Sequence, residues 1–171
     1  MKPLHNPFFV KFIVYFNENQ DFFECHEELE EYWKSIPNAT KEHPLASYIL
    51  LSTGLYHWRR GNTIGALRTL KKAIKGMSDL SESYPEFSDG IDFDDLCENV
   101  QLAIMRIENG QPFVSFPIKV RSTLLNSLTT EIMPSMELLP FGSESVIHKH
   151  KLRDRTAIIQ ERNEKKKGRL I

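Results

Sequence analysis

Apolar residues recur at spacings of three and four along most of the first 109 residues of the chain. This spacing places side chains on one face of an α-helix, so each such stretch predicts a helix with one buried face. The clearest stretch, between polar breaks at residues 61–62 and 81–92, carries Ile64, Leu67, Leu70, Ile74, Met77 and Leu80. The pattern predicts an all-α fold, a compact bundle of about five helices.

Residues that start and stop helices divide this region. Asp21, Asn62 and Asp92 each precede an apolar run, and their side chains favour the N-cap position. Gly61 and Gly110 are helix-ending residues after the third and fifth runs. The expected helices cover residues 7–16, 21–35, 43–60, 62–80 and 93–109.

Two helix–turn–helix segments are similar at an offset of 41 residues. The turn at residues 20–21 aligns with the turn at 61–62, and a small residue follows each turn at the same distance. This repeat predicts packed helical hairpins, and the second copy resembles a tetratricopeptide hairpin. A repeat array needs roughly three or more units, and only two are visible. In the alignment His26 takes the place of Leu67.

The helical pattern weakens after Gly110, which predicts a helical domain at 1–110 and a C-terminal extension at 111–171. Within the extension, residues 112–120 alternate in polarity and predict an extended segment. Three further elements are expected: a short helix at 121–133, a short strand at 145–152 and a basic terminal helix at 154–167.

Charge is unevenly distributed although the net charge is only −1. From His148 onward there are nine Lys/Arg against three Asp/Glu, whereas residues 1–147 carry thirteen against twenty. A basic end on an acidic body is typical of a nucleic-acid-binding tail, of a solvated helix, or of a tail that folds back on its own body. Nucleic-acid binding is therefore expected only through this basic tail.

The cysteines and the hydropathy pattern indicate a compartment. Cys25 and Cys97 lie inside helical patterns without paired-loop or CxxC spacing, so we interpret them as reduced, buried residues of a cytoplasmic protein. There is no signal peptide at the N-terminus and no run of 18 apolar residues, so no membrane association is expected. The oligomeric state is left open by the sequence.

The segment from His26 to Trp33 places polar side chains on a helix face that also carries large apolar residues. The spacing groups Phe22, His26, Leu29, Glu30 and Trp33 on that face. A face of this kind packs against a core, where polar groups need partners. We therefore predict a buried His/Glu network, which either stabilises the fold or belongs to a binding site.

A metal site is the chemical alternative. His26 and Glu30 are one turn apart, and both are metal-ligand types. The third candidate ligand is His57, which shares a helix face with Thr53 and Gly54. Because these two residues are small, the second helix could pack closely on that face and bring His57 near His26 and Glu30. Glu27 lies to one side of His26 and is a candidate ligand, general base or salt-bridge partner. These N/O ligands suit Zn²⁺ or Fe²⁺. The HExxH peptidase signature is absent because Glu occupies position 30.

The aromatic residues near these groups are candidates for lining a groove. Trp33 and Tyr56 are interpreted either as core residues or as parts of a binding surface. The full predicted binding set is His26, Glu27, Glu30, Trp33, Tyr56 and His57.

The chain resembles a bacterial family catalogued as domain of unknown function 309. The resemblance rests on an HExxExxW pattern from His26 to Trp33, followed by Tyr56-His57, residues 61–62 and residues 65–66. It covers roughly residues 8–109. The resemblance implies a compact all-helical domain and implies no reaction.

Two classes of function follow from these observations. The first is a protein- or ligand-binding module, favoured by the hairpin repeat and by the lack of a complete catalytic motif. The second is a metal-dependent, hydrolase-like enzyme that uses His26, Glu30 and His57. The first class is the preferred prediction, and no catalytic residue is assigned beyond the candidate base Glu27.

Overall fold

The computed structural model describes residues 1–149, and this part of the chain is built from α-helices without any β-strand. The helices are α1 (Pro7–Val14), α2 (Phe22–Ser35), α3 (Pro44–Arg59), α4 (Thr63–Met77), α5 (Leu80–Ser83), α6 (Phe93–Glu108), α7 (Thr123–Ile132) and α8 (Glu144–Ile147). The predicted all-α fold is confirmed, and the five predicted helices correspond to α1, α2, α3, α4 and α6. The predicted basic helix at 154–167 lies outside the described residues.

The predicted N-caps form. The side chains of Asp21, Asn62 and Asp92 each accept a hydrogen bond from the backbone N–H three residues further along. At α3 the cap is His43, whose Nδ1 accepts the N–H of Leu45 at 3.1 Å. Each cap provides a partner for a backbone N–H that has none within the helix.

Aromatic rings fill the centre of the bundle. The fully buried Tyr48 on α3 meets Phe9 and Phe12 of α1 edge-on, with ring centroids 5.3 and 5.9 Å apart. Its hydroxyl donates a hydrogen bond of 2.6 Å to the carbonyl oxygen of Phe87. Burial raises the pKa of Tyr48, so the phenol stays protonated and can donate. This hydroxyl connects the core to the segment after α5.

Helices α3 and α4 form a closely packed hairpin. A Cβ added at Gly54 would lie 2.5 Å from Cδ2 of Leu70, so only a residue without a side chain fits there. The sequence grouped Gly54 with Thr53 and His57 as one face that receives the second helix. That grouping was wrong in part, because Gly54 packs on α4 while Thr53 and His57 lie toward α2.

The C-terminal extension packs on the helices as far as it is described. The side-chain amide of Asn17 pairs with both the N–H and the carbonyl oxygen of Ile118, each at 2.9 Å. The ring of Phe113 lies 5.0 Å from that of Trp58. The strand expected at 145–152 was wrong for its described part, which contains helix α8 instead. Val146 is the one buried residue of α8.

The cysteines were expected to be buried, which holds for Cys25 and only in part for Cys97. Cys25 and Cys97 are both free thiols, the first buried and the second half-buried. Burial raises the pKa of the Cys97 thiol to about 11, so it is an unreactive thiol at neutral pH. Within residues 1–149, no helix combines the length and the apolar character needed to cross a membrane.

Candidate functional site

The His/Glu motif lies at the edge of the buried face of α2 and not on it. The buried residues of α2 are Phe22, Cys25, Leu29 and Tyr32. This stripe shares Phe22 and Leu29 with the predicted face but has Cys25 and Tyr32 in place of His26 and Trp33, so the motif faces partly outward. The side chains of His26 and Glu30 are 31% and 34% exposed, which contradicts the predicted buried network.

The polar groups of the motif are close to one another. The two imidazole nitrogens of His26 each lie 3.4 Å from a carboxylate oxygen, Nδ1 from Glu27 and Nε2 from Glu30. The second oxygen of Glu30 lies 2.9 Å from Nζ of Lys34. The Lys34 ammonium, assisted by His26, holds the pKa of the Glu30 carboxyl below its usual value. Glu30 therefore has a second partner besides His26.

His26→Leu should accordingly change stability little. Glu30 keeps Lys34 and contact with water, so no buried charge is left without a partner. We expect a loss below about 1 kcal/mol in the free energy of unfolding, as for exposed ion pairs. Urea unfolding of the variant and the wild type measures it. A loss of several kcal/mol would show that the motif stabilises the core after all.

A small pocket opens between α2 and α3 beside His26. Its volume is about 150 Å³. Its walls are Phe22, Phe23, His26, Thr53, Tyr56, His57 and Arg60. The ring of Phe23 meets that of Tyr56 edge-on at 5.9 Å, so both helices contribute to an aromatic wall. Helix α2 thus lies next to the face of α3 that carries Thr53 and His57, and the space left between the two helices is the pocket.

The imidazole of His57 is held by two donors. Nδ1 lies 3.1 Å from Nη2 of Arg60 and 3.3 Å from Nδ2 of Asn62. A guanidinium can only donate, so Nδ1 must be an acceptor, and the proton of the neutral ring is on Nε2. The Asn62 oxygen accepts from the N–H of Gly65, which turns its NH₂ toward His57. His57 is thereby oriented as a hydrogen-bond donor beside a positive charge, an unfavourable arrangement for a cation ligand.

The two consecutive arginines at the end of α3 have different surroundings. Arg59 donates to the carbonyl oxygen of Gln20 at 2.7 Å, and its guanidinium lies 4.6 Å from the ring centroid of Phe22. It therefore connects the end of α3 to the start of α2. Arg60 lines the pocket, with its guanidinium 5.4 Å from the centroid of the Tyr56 ring.

The predicted site residues separate into three groups. His26, Tyr56 and His57 line the pocket, whereas Glu27 and Glu30 lie outside its walls. Trp33 is elsewhere: its indole N–H donates to the carbonyl oxygen of Thr40 at 3.0 Å and so fastens the loop between α2 and α3. Four residues that line the pocket were not predicted as site residues from the sequence: Phe22, Phe23, Thr53 and Arg60.

Comparisons with known proteins identify the family of this chain. The family model described as "Domain of unknown function (DUF309)" matches residues 9–69. The chain is also similar to "Uncharacterized protein YpuF" of Bacillus subtilis (strain 168), with 32% identity over 160 residues that cover 90% of each chain. The chain therefore belongs to the DUF309 family, which confirms the predicted membership. No solved structure matches the chain.

The family match contains the site. Residues 9–69 include the motif on α2 and every wall of the pocket. The family model ends before residue 109, to which the sequence resemblance had extended. Because the family description names no activity, the function has to be argued from the site itself.

Proposed function

We propose that the protein is a binding module whose pocket between α2 and α3 holds one aromatic side chain of a protein partner. The observation that carries this proposal is the aromatic-walled pocket of about 150 Å³ with Arg60 in its wall. Phe22, Phe23 and Tyr56 provide apolar ring surface for the side chain. The tightly joined α2 and α3 hold these rings in place before any ligand arrives, which lowers the entropic cost of binding.

The size of the pocket favours a single side chain over a larger ligand. An apolar cavity of roughly 150 Å³ accommodates one benzene-sized ring. Pockets for complete small molecules are larger, about 300–1,000 Å³. A pocket for one ring is what an interface uses to bind an anchoring aromatic residue.

The polar groups in the pocket wall favour one kind of chemical group beside the bound aromatic ring. Nε of Arg60 is buried and has no hydrogen-bond partner among residues 1–149. This Arg60 donor and the positive charge of its guanidinium favour an acceptor beside the ring, such as a carboxylate or a backbone carbonyl oxygen.

The proposal is tested with phenylacetate, which joins one ring to one carboxylate. We expect the full chain to bind it with a Kd on the order of 1 mM, measured by NMR titration of the Tyr56 and His57 signals. Thr53→Met should fill the pocket and weaken binding at least tenfold. Thr130→Met is the matched control, because Thr130 is also helical and also donates to the carbonyl oxygen four residues earlier, as Thr53 does.

Two further outcomes decide the proposal. Phenethylamine, which replaces the carboxylate by an ammonium group, should bind more weakly than phenylacetate because of Arg60. If Thr53→Met and Thr130→Met bind phenylacetate equally well, the pocket is not the binding site. A partner bound through the pocket should likewise be lost from Thr53→Met alone in a binding assay with the full chain.

The metal-dependent, hydrolase-like enzyme is the alternative function. It required His26, Glu30 and His57 around one cation, with Glu27 as base. Nδ1 of His57 faces the Arg60 guanidinium at 3.1 Å, and this neighbouring positive charge works against a cation ligand there. The pocket therefore supports binding better than it supports this reaction. A role of the basic tail in binding nucleic acid concerns residues 150–171, outside the described part of the chain.

A further inference from the structure

We infer that His26, Glu27 and Glu30 form a binding site for a divalent cation on the outer side of α2. One nitrogen of His26 and one oxygen of each carboxylate lie within 4.8 Å of one another. The three residues occupy positions i, i+1 and i+4 of a single helix. The site omits His57 from the ligand set predicted from sequence and includes Glu27, which the sequence offered as one possible ligand.

The spread of the three atoms is within reach of metal coordination. Ligand atoms around a tetrahedral Zn²⁺ are separated by roughly 3.3 Å, as follows from metal–ligand distances near 2.0 Å. The side chains of Glu27 and Glu30 are 43% and 34% exposed, so small rotations can bring their oxygens closer. Three protein ligands would leave further coordination positions to water. The two carboxylates also provide the negative charge that a cation needs.

Lys34 occupies part of this site in the absence of a cation. Its Nζ lies 2.9 Å from Oε1 of Glu30, while the side chain is 56% exposed. A divalent ion carries more charge than the ammonium and can approach the carboxylate more closely. The exposed lysine can move into solvent without leaving a buried charge. Lys34 is thus a built-in competitor, and removing it should increase cation affinity.

The donor set selects among cations. Imidazole nitrogen favours Zn²⁺ over Mg²⁺, which prefers oxygen ligands and retains its water. We therefore expect Zn²⁺ to bind and Mg²⁺ at the same concentration to leave Zn²⁺ binding unchanged. This cation site shares only His26 with the pocket, whereas Thr53 lines the pocket and is outside the cation group, so variants at Thr53 test the pocket separately.

The test is calorimetric titration of Zn²⁺ into the untagged full chain and its variants. The expected result is a micromolar site that Glu30→Gln and His26→Asn each weaken at least tenfold. Lys34→Met should strengthen it by about threefold, in keeping with the modest strength of an exposed ion pair. Glu31→Gln is the matched control, because Glu31 is an exposed glutamate of α2 outside the group.

The Zn²⁺ affinities of these variants distinguish a specific site from nonspecific binding. If Glu31→Gln weakens Zn²⁺ binding as much as Glu30→Gln, the ion binds the acidic helix surface in general and the inference is wrong. Zn²⁺ binding that survives both Glu30→Gln and His26→Asn also overturns it. Thr53→Met should leave the Zn²⁺ affinity unchanged, so a failure of the pocket proposal is distinguished from a failure of this one.

Discussion

Lys149→Met is expected to lower the free energy of unfolding by about 3 kcal/mol. The ammonium of Lys149 lies 2.8 Å from Asp21 and 2.9 Å from Glu24. Asp21 is only 1% exposed, and the other two side chains are 14% exposed. Removing the lysine leaves two adjacent carboxylates at the start of α2, one of them fully desolvated, without their main cationic partner. Urea unfolding of wild type and variant measures the difference.

The control is Lys119→Met, which removes another lysine paired with an aspartate. Nζ of Lys119 lies 3.1 Å from Asp95, but its side chain is 60% exposed. We expect this change to cost less than about 1 kcal/mol. Asp21→Asn combined with Lys149→Met should recover part of the loss, because Asn can still cap α2 and carries no charge. Equal effects of Lys149→Met and Lys119→Met would refute the buried ion pair.

Gly54→Ala is expected to destabilise the protein by about 2 kcal/mol. The added methyl group would lie 2.5 Å from Cδ2 and 2.6 Å from Cγ of Leu70. Leu70 is fully buried, so the α3–α4 hairpin must separate or the leucine must leave its rotamer. The expected loss exceeds the gain of up to about 1 kcal/mol in helix propensity from replacing Gly by Ala. Thermal or urea unfolding measures the change.

Gly76→Ala provides the matched comparison within the same hairpin. Its added methyl group would meet the terminal hydroxyl of Ser47, which can rotate away, so we expect a change near zero. The double variant Gly54→Ala with Leu70→Ala should be less destabilised than the sum of the two single changes, because the smaller side chain makes room. If both glycine substitutions cost the same, the close contact at Leu70 does not determine the spacing of α3 and α4.

Local signals were sufficient to predict the helices from the sequence. Asp21, Asn62 and Asp92 cap their helices where expected, because an N-cap depends on a side chain and a backbone N–H only three residues away. The helix periodicity likewise depends on neighbours within one turn. The short strand expected at 145–152 was wrong over its described part, residues 145–149, because alternation over so few residues also fits a helical turn. The burial of Val146 in α8 depends on distant residues and could not be predicted from its neighbours in sequence.

The candidate site was located by sequence, but its architecture was decided by tertiary packing. The motif pointed to His26, and in the structure His26 of α2 and His57 of α3 line the same pocket. Which face of α2 is buried depends on how α1 and α3 pack against it, and that packing buries Cys25 and Tyr32 while it leaves His26 and Glu30 partly exposed. The predicted buried network is therefore a partly exposed group of side chains beside a pocket, where we propose a cation site.

By itself the sequence determined the all-α class, the five helices, their caps and the family, because these depend on periodicity and on residues close together in the chain. Only the tertiary structure decided the contacts between distant residues. Lys149 forms an ion pair with Asp21, which is 128 residues away in the sequence. Arg59 donates a hydrogen bond to the carbonyl oxygen of Gln20, which is 39 residues away. The physical reason is that such pairs form only when the packing of large apolar faces brings them together, and no local pattern encodes that meeting.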